Sequence, residues 1–540
     1  MAAPEAVGCD RPAPPVPIRP EALSPRVPGC YNELAMPTAT DRPNILLITS
    51  DQQHWSTLGC QNPELQTPHL DALAAAGTLF ERAYCPNPTC TPTRASIITG
   101  QYPSQHGAWT LGTQLAECAH TMGEDLQAAG YSTALVGKAH FQQLYPAEGY
   151  PSLESYPTLQ DLDFWREFHG PWYGFGRVEL ARNHTDEAHV GQHYALWMEE
   201  KGLKHWRDYF QPPTGTNATQ RHRWLLPEEF HYDAWIVERT GALLEQYQRQ
   251  GAPFLLWASF FDPHPPYLAP APWDTMYDPA RLTVPGVEPG EHAANPPHFQ
   301  LTQEADPDFS AWAETGQWLH GMHSHLHDPG ELAQDLAVYY GMISLLDKYV
   351  GVILQRLAAL GLAENTLVVF TTDHGHLFGQ HGLIAKGPFH YEDLIKVPCL
   401  VRYPGRVPAG RRSVALQSLV DLAPTFLSFA GVPVPGSMTG VSQREVWTGA
   451  ADSARDWALV ENRHEPTTIH LKTYIETRYK LTVYYQHRYG ELFDLEEDPG
   501  ERRNLWDSPA HQGLKQELVW RLLQAELSKE PLAMPRVAGA

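Results

Sequence analysis

The segment Cys90-Thr-Pro-Thr-Arg94 sets a thiol where a helix begins, with Pro92 in the first turn and Arg94 one turn along. Free backbone N–H groups and the helix dipole favour negative charge there. A guanidinium nearby favours it further, which makes Cys90 a candidate nucleophile. The competing and commoner fate of a cysteine is a buried structural thiol. Two acids bear on the choice. Asp51 ends the apolar run Asn44 to Ser50, and Asp373-His374-Gly375 follows the later run Thr366 to Thr371. Carboxylates and an imidazole meeting at one sheet edge describe a divalent-metal site, although an Asp after a strand also serves as a turn former. Three segments add cationic or proton-carrying groups: Gly137-Lys138-Ala-His140, Asp262-Pro-His264, and Lys386, twelve residues beyond His374. Taken singly, each is an ordinary solvated lysine or hydrogen-bonded histidine.

To bring these residues together, strands must end at one place. Asn44 to Ser50 and Pro253 to Phe260 read as buried strands, each running into polar residues at the end where open α/β sheets bind ligands. Thr67-Pro68 opens a helix that reaches Ala76 and stops at Gly77. Thr121-Met-Gly-Glu124 fits a capping box, and its helix ends at Gly130 before a strand from Tyr131 to Val136. Apolar residues from Leu336 to Leu360 keep the spacing of a long amphipathic helix. This alternation predicts an α/β fold with a large, mostly parallel sheet flanked by helices. Beyond Gly431 the pattern changes: residues 469 to 485 look like antiparallel strands and 511 to 527 like a helix. The expected organisation is a Pro-rich tail (1–40), a catalytic domain (41–430) and a smaller C-terminal α+β domain (431–540). The aromatic- and histidine-rich stretches 145 to 231 and 274 to 327 show little periodicity and are expected to wall the pocket.

A net charge of -23 argues against a nucleic-acid partner or an anionic membrane surface. An anionic substrate would have to be drawn in by local cations or a metal. Residues 1–40 hold no apolar run long enough for a signal peptide or membrane span, so a cytoplasmic location is expected. The seven cysteines are odd in number and lack close pairs, which suits free thiols in a reducing compartment. Asn183-His-Thr and Asn217-Ala-Thr match the glycosylation pattern, but the pattern is too short to carry weight.

Cys90 to Arg94, followed by Ala95-Ser-Ile-Ile-Thr-Gly100, resembles the sulfatase signature, with Thr93 where Ser is usual. The two acid-bearing strand ends and the three further segments match sulfatase segments in the same chain order, over roughly residues 42 to 430. The run ELFDLEEDPGERRNL (491 to 505) does so too. The resemblance implies an alkaline-phosphatase-like fold and a Cys90 oxidised to formylglycine by a dedicated maturase. It also implies one divalent ion, Ca2+ or Mn2+, held by Asp51, Gln52, residue 90, Asp373 and His374. By the same resemblance, one hydroxyl of the hydrated aldehyde attacks sulfur, while Arg94 and Lys138 neutralise the diol and the sulfate. His264 and Lys386 would hold the sulfate and protonate the leaving oxygen, and His140 would take the proton whose loss expels the covalent sulfate.

Gln52 stands where a second Asp is usual and His374 where Asn is usual. One fewer anionic oxygen and one added nitrogen shift preference from calcium toward manganese. Both departures resemble the branch that holds phosphonate monoester hydrolases and choline-sulfatase-like enzymes. His54, His376 and His381 are expected to support or pack, and Trp55, Trp109 and Trp257 to form pocket wall or core.

The expected reaction is hydrolysis of a small sulfate monoester, with an aryl sulfate chosen from the aromatic content of the insertions. A phosphonate monoester or phosphodiester hydrolase with the same nucleophile is the nearest rival. Retention of Lys138 and His140, and the lack of an Asn near Leu111-Gly112-Thr113, favour sulfate. A silent binding protein would follow if Cys90 stayed a thiol. The maturase is the implied protein partner, and a homo-oligomer is expected from the resemblance alone.

Overall fold

The computed structural model describes residues 42–182, 190–211, 221–314, 319–463, 468–532 and 534. The Pro-rich tail 1–40, Asn183 and Asn217 lie outside the described residues. Eight strands form the main sheet: β1 (Asn44–Ser50), β2 (Thr78–Phe80), β3 (Ser132–Gly137), β4 (Arg177–Leu180), β5 (Phe254–Ser259), β6 (Thr366–Thr372), β7 (Cys399–Arg402) and β8 (Arg411–Ser413). Their spatial order is β8-β2-β7-β6-β1-β5-β3-β4, and only β7 runs against the rest. The mostly parallel sheet expected from the alternation is present. One strand of that sheet, β4, lies inside the stretch read as irregular. Its four residues, Arg-Val-Glu-Leu, form an edge too short to show a period.

Every residue of β1 is buried, because helices cover both faces of the sheet. Ile45 and Leu47 point to one side and pack with Ile97 of α2 (Cys90–Thr99), Met122 and Leu126 of α3 (Met122–Ala128), and Phe426. Leu46 and Ile48 point to the other and pack with Leu70 of α1 (Pro68–Ala75), Leu244 of α4 (Tyr232–Gln250), and Leu346 and Val350 of α5 (Pro329–Ala359). Each such side chain contributes about 1.5–3 kcal/mol by leaving water. The Thr121–Glu124 capping box opens α3 as its sequence predicts. Helix α5 starts a turn and more before the periodic run, since Asp328 caps it by accepting from the N–H groups of Gly330 and Glu331 and Pro329 fits its first turn. Among the described residues α5 is the one helix long and apolar enough to cross a membrane, and 89% of its apolar window is buried in this core.

The register of the central strands positions the chemistry. Ser50 pairs with Thr372, so Asp51 and Asp373 leave the sheet side by side. Ser259 pairs with both Thr49 and Gly137, which brings Lys138 to the same edge. After α6 (Leu422–Ala430), an antiparallel meander follows: β9 (Ala458–Arg463), β10 (His470–Ile475), β11 (Tyr479–Tyr484) and β12 (Gly490–Asp494). Helix α7 (Gln512–Ser528) covers it through Leu518, Leu522 and Ala525. Tyr102 and Val420 join that same cluster, so the small sheet is packed onto the large one. Cys60, Cys85, Cys90 and Cys399 are free thiols, whereas Cys118 is disulfide-bonded, contrary to the expectation of free thiols throughout.

Candidate active site

Cys90 is the first residue of α2, and Thr89 before it makes no side-chain cap bond to that helix. Instead the entry is shaped by Asn87, whose Oδ1 accepts from Thr89 N–H at 2.9 Å and whose carbonyl accepts from Thr93 Oγ1 at 2.6 Å. The hydroxyl kept at position 93 therefore anchors the loop. From this loop Cys90 Sγ reaches His374 Nε2 at 3.3 Å, Lys386 Nζ at 3.5 Å, Asp51 Oδ1 at 3.7 Å and Lys138 Nζ at 3.8 Å. All five side chains are buried.

One ligand atom each from Asp51, Cys90, Asp373 and His374 fall within 4.8 Å of one another. That span is about twice a 2.4 Å cation–oxygen distance, the size of a cradle for a hard divalent ion. His374 donates its Nδ1–H to Gly375 O at 2.9 Å, which leaves Nε2 with a lone pair facing the cradle. Gln52 has φ 59° and sends its amide Nε2–H to His376 Nδ1 at 2.6 Å, while its Oε1 is buried with no hydrogen-bond partner. An orphaned amide oxygen beside two carboxylates fits an oxygen ligand to a cation.

The surrounding charges are arranged in pairs. Arg94 is buried and donates Nε–H to Asp373 Oδ2 at 2.9 Å and Nη1–H to Ser259 Oγ at 2.8 Å and Lys138 O at 3.0 Å. Its Nη2 has no partner among the described residues. Lys138 pairs with Asp51 Oδ2. Burial raises the carboxyl of Asp373, yet Arg94, His374 and Lys138 outweigh it and hold Asp373 well below the usual range. Burial, then Asp373, push Asp51 up against Lys138 and Arg94. The Cys90 thiol is pushed up to about 11, burial outweighing Lys138 and Lys386. His374 falls to about 3, mainly through burial.

His264 donates Nδ1–H to Pro265 O at 2.5 Å, so Nε2 carries the lone pair. Burial and then the charges of Lys386 and Lys138 push it well below the usual range, and His140 is pushed down by burial with Lys138 and Arg94. Of the residues singled out in the sequence, Asp51, Gln52, Cys90, Arg94, Lys138, Asp373, His374 and Lys386 are joined by direct contacts. His140 and His264 flank them within reach of the same charges.

The remaining histidines and tryptophans singled out in the sequence make the following contacts. His376 bonds Gln52 and Tyr267, and His54 bonds Asp393 at 2.9 Å. His381 ion-pairs with Glu291 and stacks on Tyr391 at 3.5 Å. Trp257 is core, Trp55 bonds Asp393, and Trp109 stacks under Arg463. Sequence reasoning missed Ser259 and Asp393. The first differs from any strand-end serine only in register. Asp393 stands in HYEDLI without a motif that marks it, yet its carboxylate holds His54 and its carbonyl accepts from His376 N–H.

Two other groups gather metal-type ligands among the described residues, one with the half-buried His169 and one fully buried. In the first, His193 spends Nδ1 on Leu180 N–H and Nε2–H on Phe168 O, which leaves no lone pair. In the second, His231 Nδ1 accepts the Asp233 N–H that opens α4, Asp262 accepts from the Tyr232 hydroxyl, and burial pushes both Asp233 and Asp262 up, the latter to about 8. Those two acids are suited to sharing a proton.

Residues 43–432 match the sulfatase family, and 379–528 match the N-sulphoglucosamine sulphohydrolase C-terminal family. The chain is 28% identical to the uncharacterized sulfatase YidJ of Escherichia coli, over 86% of this chain and 83% of that protein. It is also 28% identical to an arylsulfatase of Clostridium perfringens, over 86% of this chain and 91% of that protein. Among solved structures, a phosphonate monoester hydrolase from Silicibacter pomeroyi superposes with TM-score 0.74 at 25% identity, covering 91% of this chain and 96% of that one. With the family match spanning well over half of its length, and with the sheet and the strand-end acids described above, the chain belongs to the sulfatase family.

Proposed function

We propose that this sulfatase hydrolyses aryl sulfates through a formylglycine made from Cys90 and one divalent ion. The observation that carries the reading is the ring of His374, Asp51, Lys386 and Lys138 around Cys90 Sγ. Asp51, Gln52, Asp373, His374 and residue 90 would hold the ion. When bound, it would acidify a hydroxyl on residue 90 and offset charge on the sulfate oxygens. Formylglycine would supply that hydroxyl, made by a maturase that oxidises the thiol with dioxygen.

The chain's own groups do the rest. Arg94 keeps Asp373 ionised and in place. Lys138 and Lys386 bring positive charge to residue 90, where an anionic ester must sit. His264, its Nδ1–H held by Pro265, orients the sulfate together with Lys386, and the pair delivers the proton to the departing oxygen. His140 accepts the proton that lets residue 90 return to its starting state. Nothing in this scheme reads the alcohol half, which falls to the insertions around 145 to 231 and 274 to 327.

The fold likeness to a phosphonate monoester hydrolase supports a second reading, in which the same nucleophile attacks phosphorus. Comparing kcat/KM for 4-nitrophenyl sulfate and a phenylphosphonate monoester tests the two. The sulfate is expected to be the better substrate, and the opposite order would favour the phosphonate reading. Peptide mass spectrometry across residues 83 to 94, on protein produced with a maturase, tests the conversion of Cys90. A thiol retained in active enzyme would overturn it.

A further inference from the structure

His140 stands in a backbone conformation that side-chain-bearing residues avoid, with φ 56°. What holds it there is a carboxylate from a different segment. Glu154 Oε1 accepts from His140 N–H at 2.6 Å, and Oε2 accepts from Phe141 N–H at 2.8 Å and Gln142 N–H at 2.9 Å. Three successive N–H groups turned to one anion form a nest, and the left-handed residue is what lets them converge. The arrangement is sealed: Glu154 is 2% exposed and His140 4%. It is also braced on both sides. Leu153 N–H donates to Gln142 Oε1 at 2.7 Å, and Ser152 Oγ donates to Gln143 O at 2.9 Å. Leu115 N–H donates to Phe141 O at 2.8 Å.

We propose that Glu154 is a positioning residue, whose carboxylate fixes the left-handed turn and thereby aims the His140 imidazole at residue 90. The inference rests on the reading of His140 as proton acceptor given above. Glu154 touches neither substrate nor the reacting residue and acts only through His140. A neutral amide in its place keeps the shape but sets its NH2 group against at least one of the three N–H donors, so the nest opens and the ring loses its aim.

A double-mutant cycle on 4-nitrophenyl sulfate hydrolysis by the matured, metal-loaded enzyme tests this. His140→Ala is expected to lower kcat about a hundredfold, and Glu154→Gln at least about tenfold with KM within a factor of about three. The double variant should be no slower than His140→Ala alone, since nothing remains to be aimed. Penalties that multiply, or a Glu154→Gln enzyme with wild-type kcat, would overturn the proposal. Wild-type kcat in His140→Ala would overturn the proton-acceptor reading itself, and this inference with it. If Glu154→Gln does not fold, Glu154→Asp, too short to reach all three N–H groups, takes its place in the same cycle with the same criteria.

Discussion

The Nε2 of His374 lies 3.3 Å from the Sγ of Cys90, across 284 residues of chain. One group follows the central strand β6 and the other opens α2, so the contact reports that a sheet edge and a helix mouth share one point. His374 keeps its ring turned there by giving Nδ1–H to Gly375 O. An imidazole held with its lone pair toward two carboxylates would offer a bound cation a mixed nitrogen–oxygen ligand set, and metal choice would follow from that mixture.

His374→Asn together with Gln52→Asp restores an all-oxygen set with one more negative charge. The doubly substituted enzyme is expected to shift its preference toward Ca2+ by at least about tenfold relative to Mn2+. Stripping the protein with a chelator, reloading it with each ion, and measuring bound metal alongside kcat would check this. An unchanged ratio would show that neither residue sets the choice.

Cys90→Ser keeps a hydroxyl at the helix mouth but removes the route to an aldehyde. A serine sulfate would need a second attack at a hindered, anionic sulfur, whereas a hydrated aldehyde can expel sulfate by internal elimination. The variant is expected to take up one sulfate per chain, visible as a mass increase, while kcat falls by at least about a thousandfold. Full steady-state turnover would contradict the aldehyde mechanism.

Arg94 has no water to fall back on. Arg94→Ala strands Asp373 in the interior and breaks the bonds to Ser259 and Lys138 O, so a loss on the order of 3–5 kcal/mol is expected. Arg94→Lys restores charge but not the fork, and kcat/KM should still fall about a hundredfold. Urea denaturation and kinetics on both variants separate the two effects. A stability change within about 0.5 kcal/mol for Arg94→Ala would mean that the pair does not hold the two elements together.

Most of this centre could be read from the chain because its residues end strands or begin helices, where local pattern and position coincide. Asp51 and Asp373 each follow a continuous apolar run, and Cys90 sits beside a proline that marks a first turn. Residues that act through long-range register left no such mark. Glu154 serves His140 from inside an insertion, and Ser259 meets Arg94 only because β5 lies between β1 and β3. Edge strand β4 was hidden for a related reason, since four residues flanked by loops carry no period. The ordering of the sheet itself, with β7 reversed, depends on pairings that hydrophobic alternation does not encode.

The C-terminal sheet reaches the loop before Cys90 through one acid. Glu461 of β9 accepts from Ser104 N–H at 2.8 Å, Ser104 Oγ at 2.9 Å and Lys472 Nζ at 3.1 Å, and it pairs with Lys529. Its own carbonyl accepts from Asn87 Nδ2 at 2.7 Å, and Asn87 shapes the entry to Cys90. Burial raises its carboxyl, but Lys529 and Lys472 prevail and bring it from 4.5 down to about 2. A depressed carboxyl stabilises the folded state fully above its unfolded value, and that contribution disappears as pH falls through the folded one. Glu461→Gln should therefore cost on the order of 2–3 kcal/mol at pH 6, with the gap from the wild type narrowing between about pH 4.5 and pH 2. Urea midpoints for both proteins across that range give the test. A gap that stayed constant down to pH 3 would mean that the ion pairs add nothing, and that Glu461 works only as a neutral acceptor for Ser104.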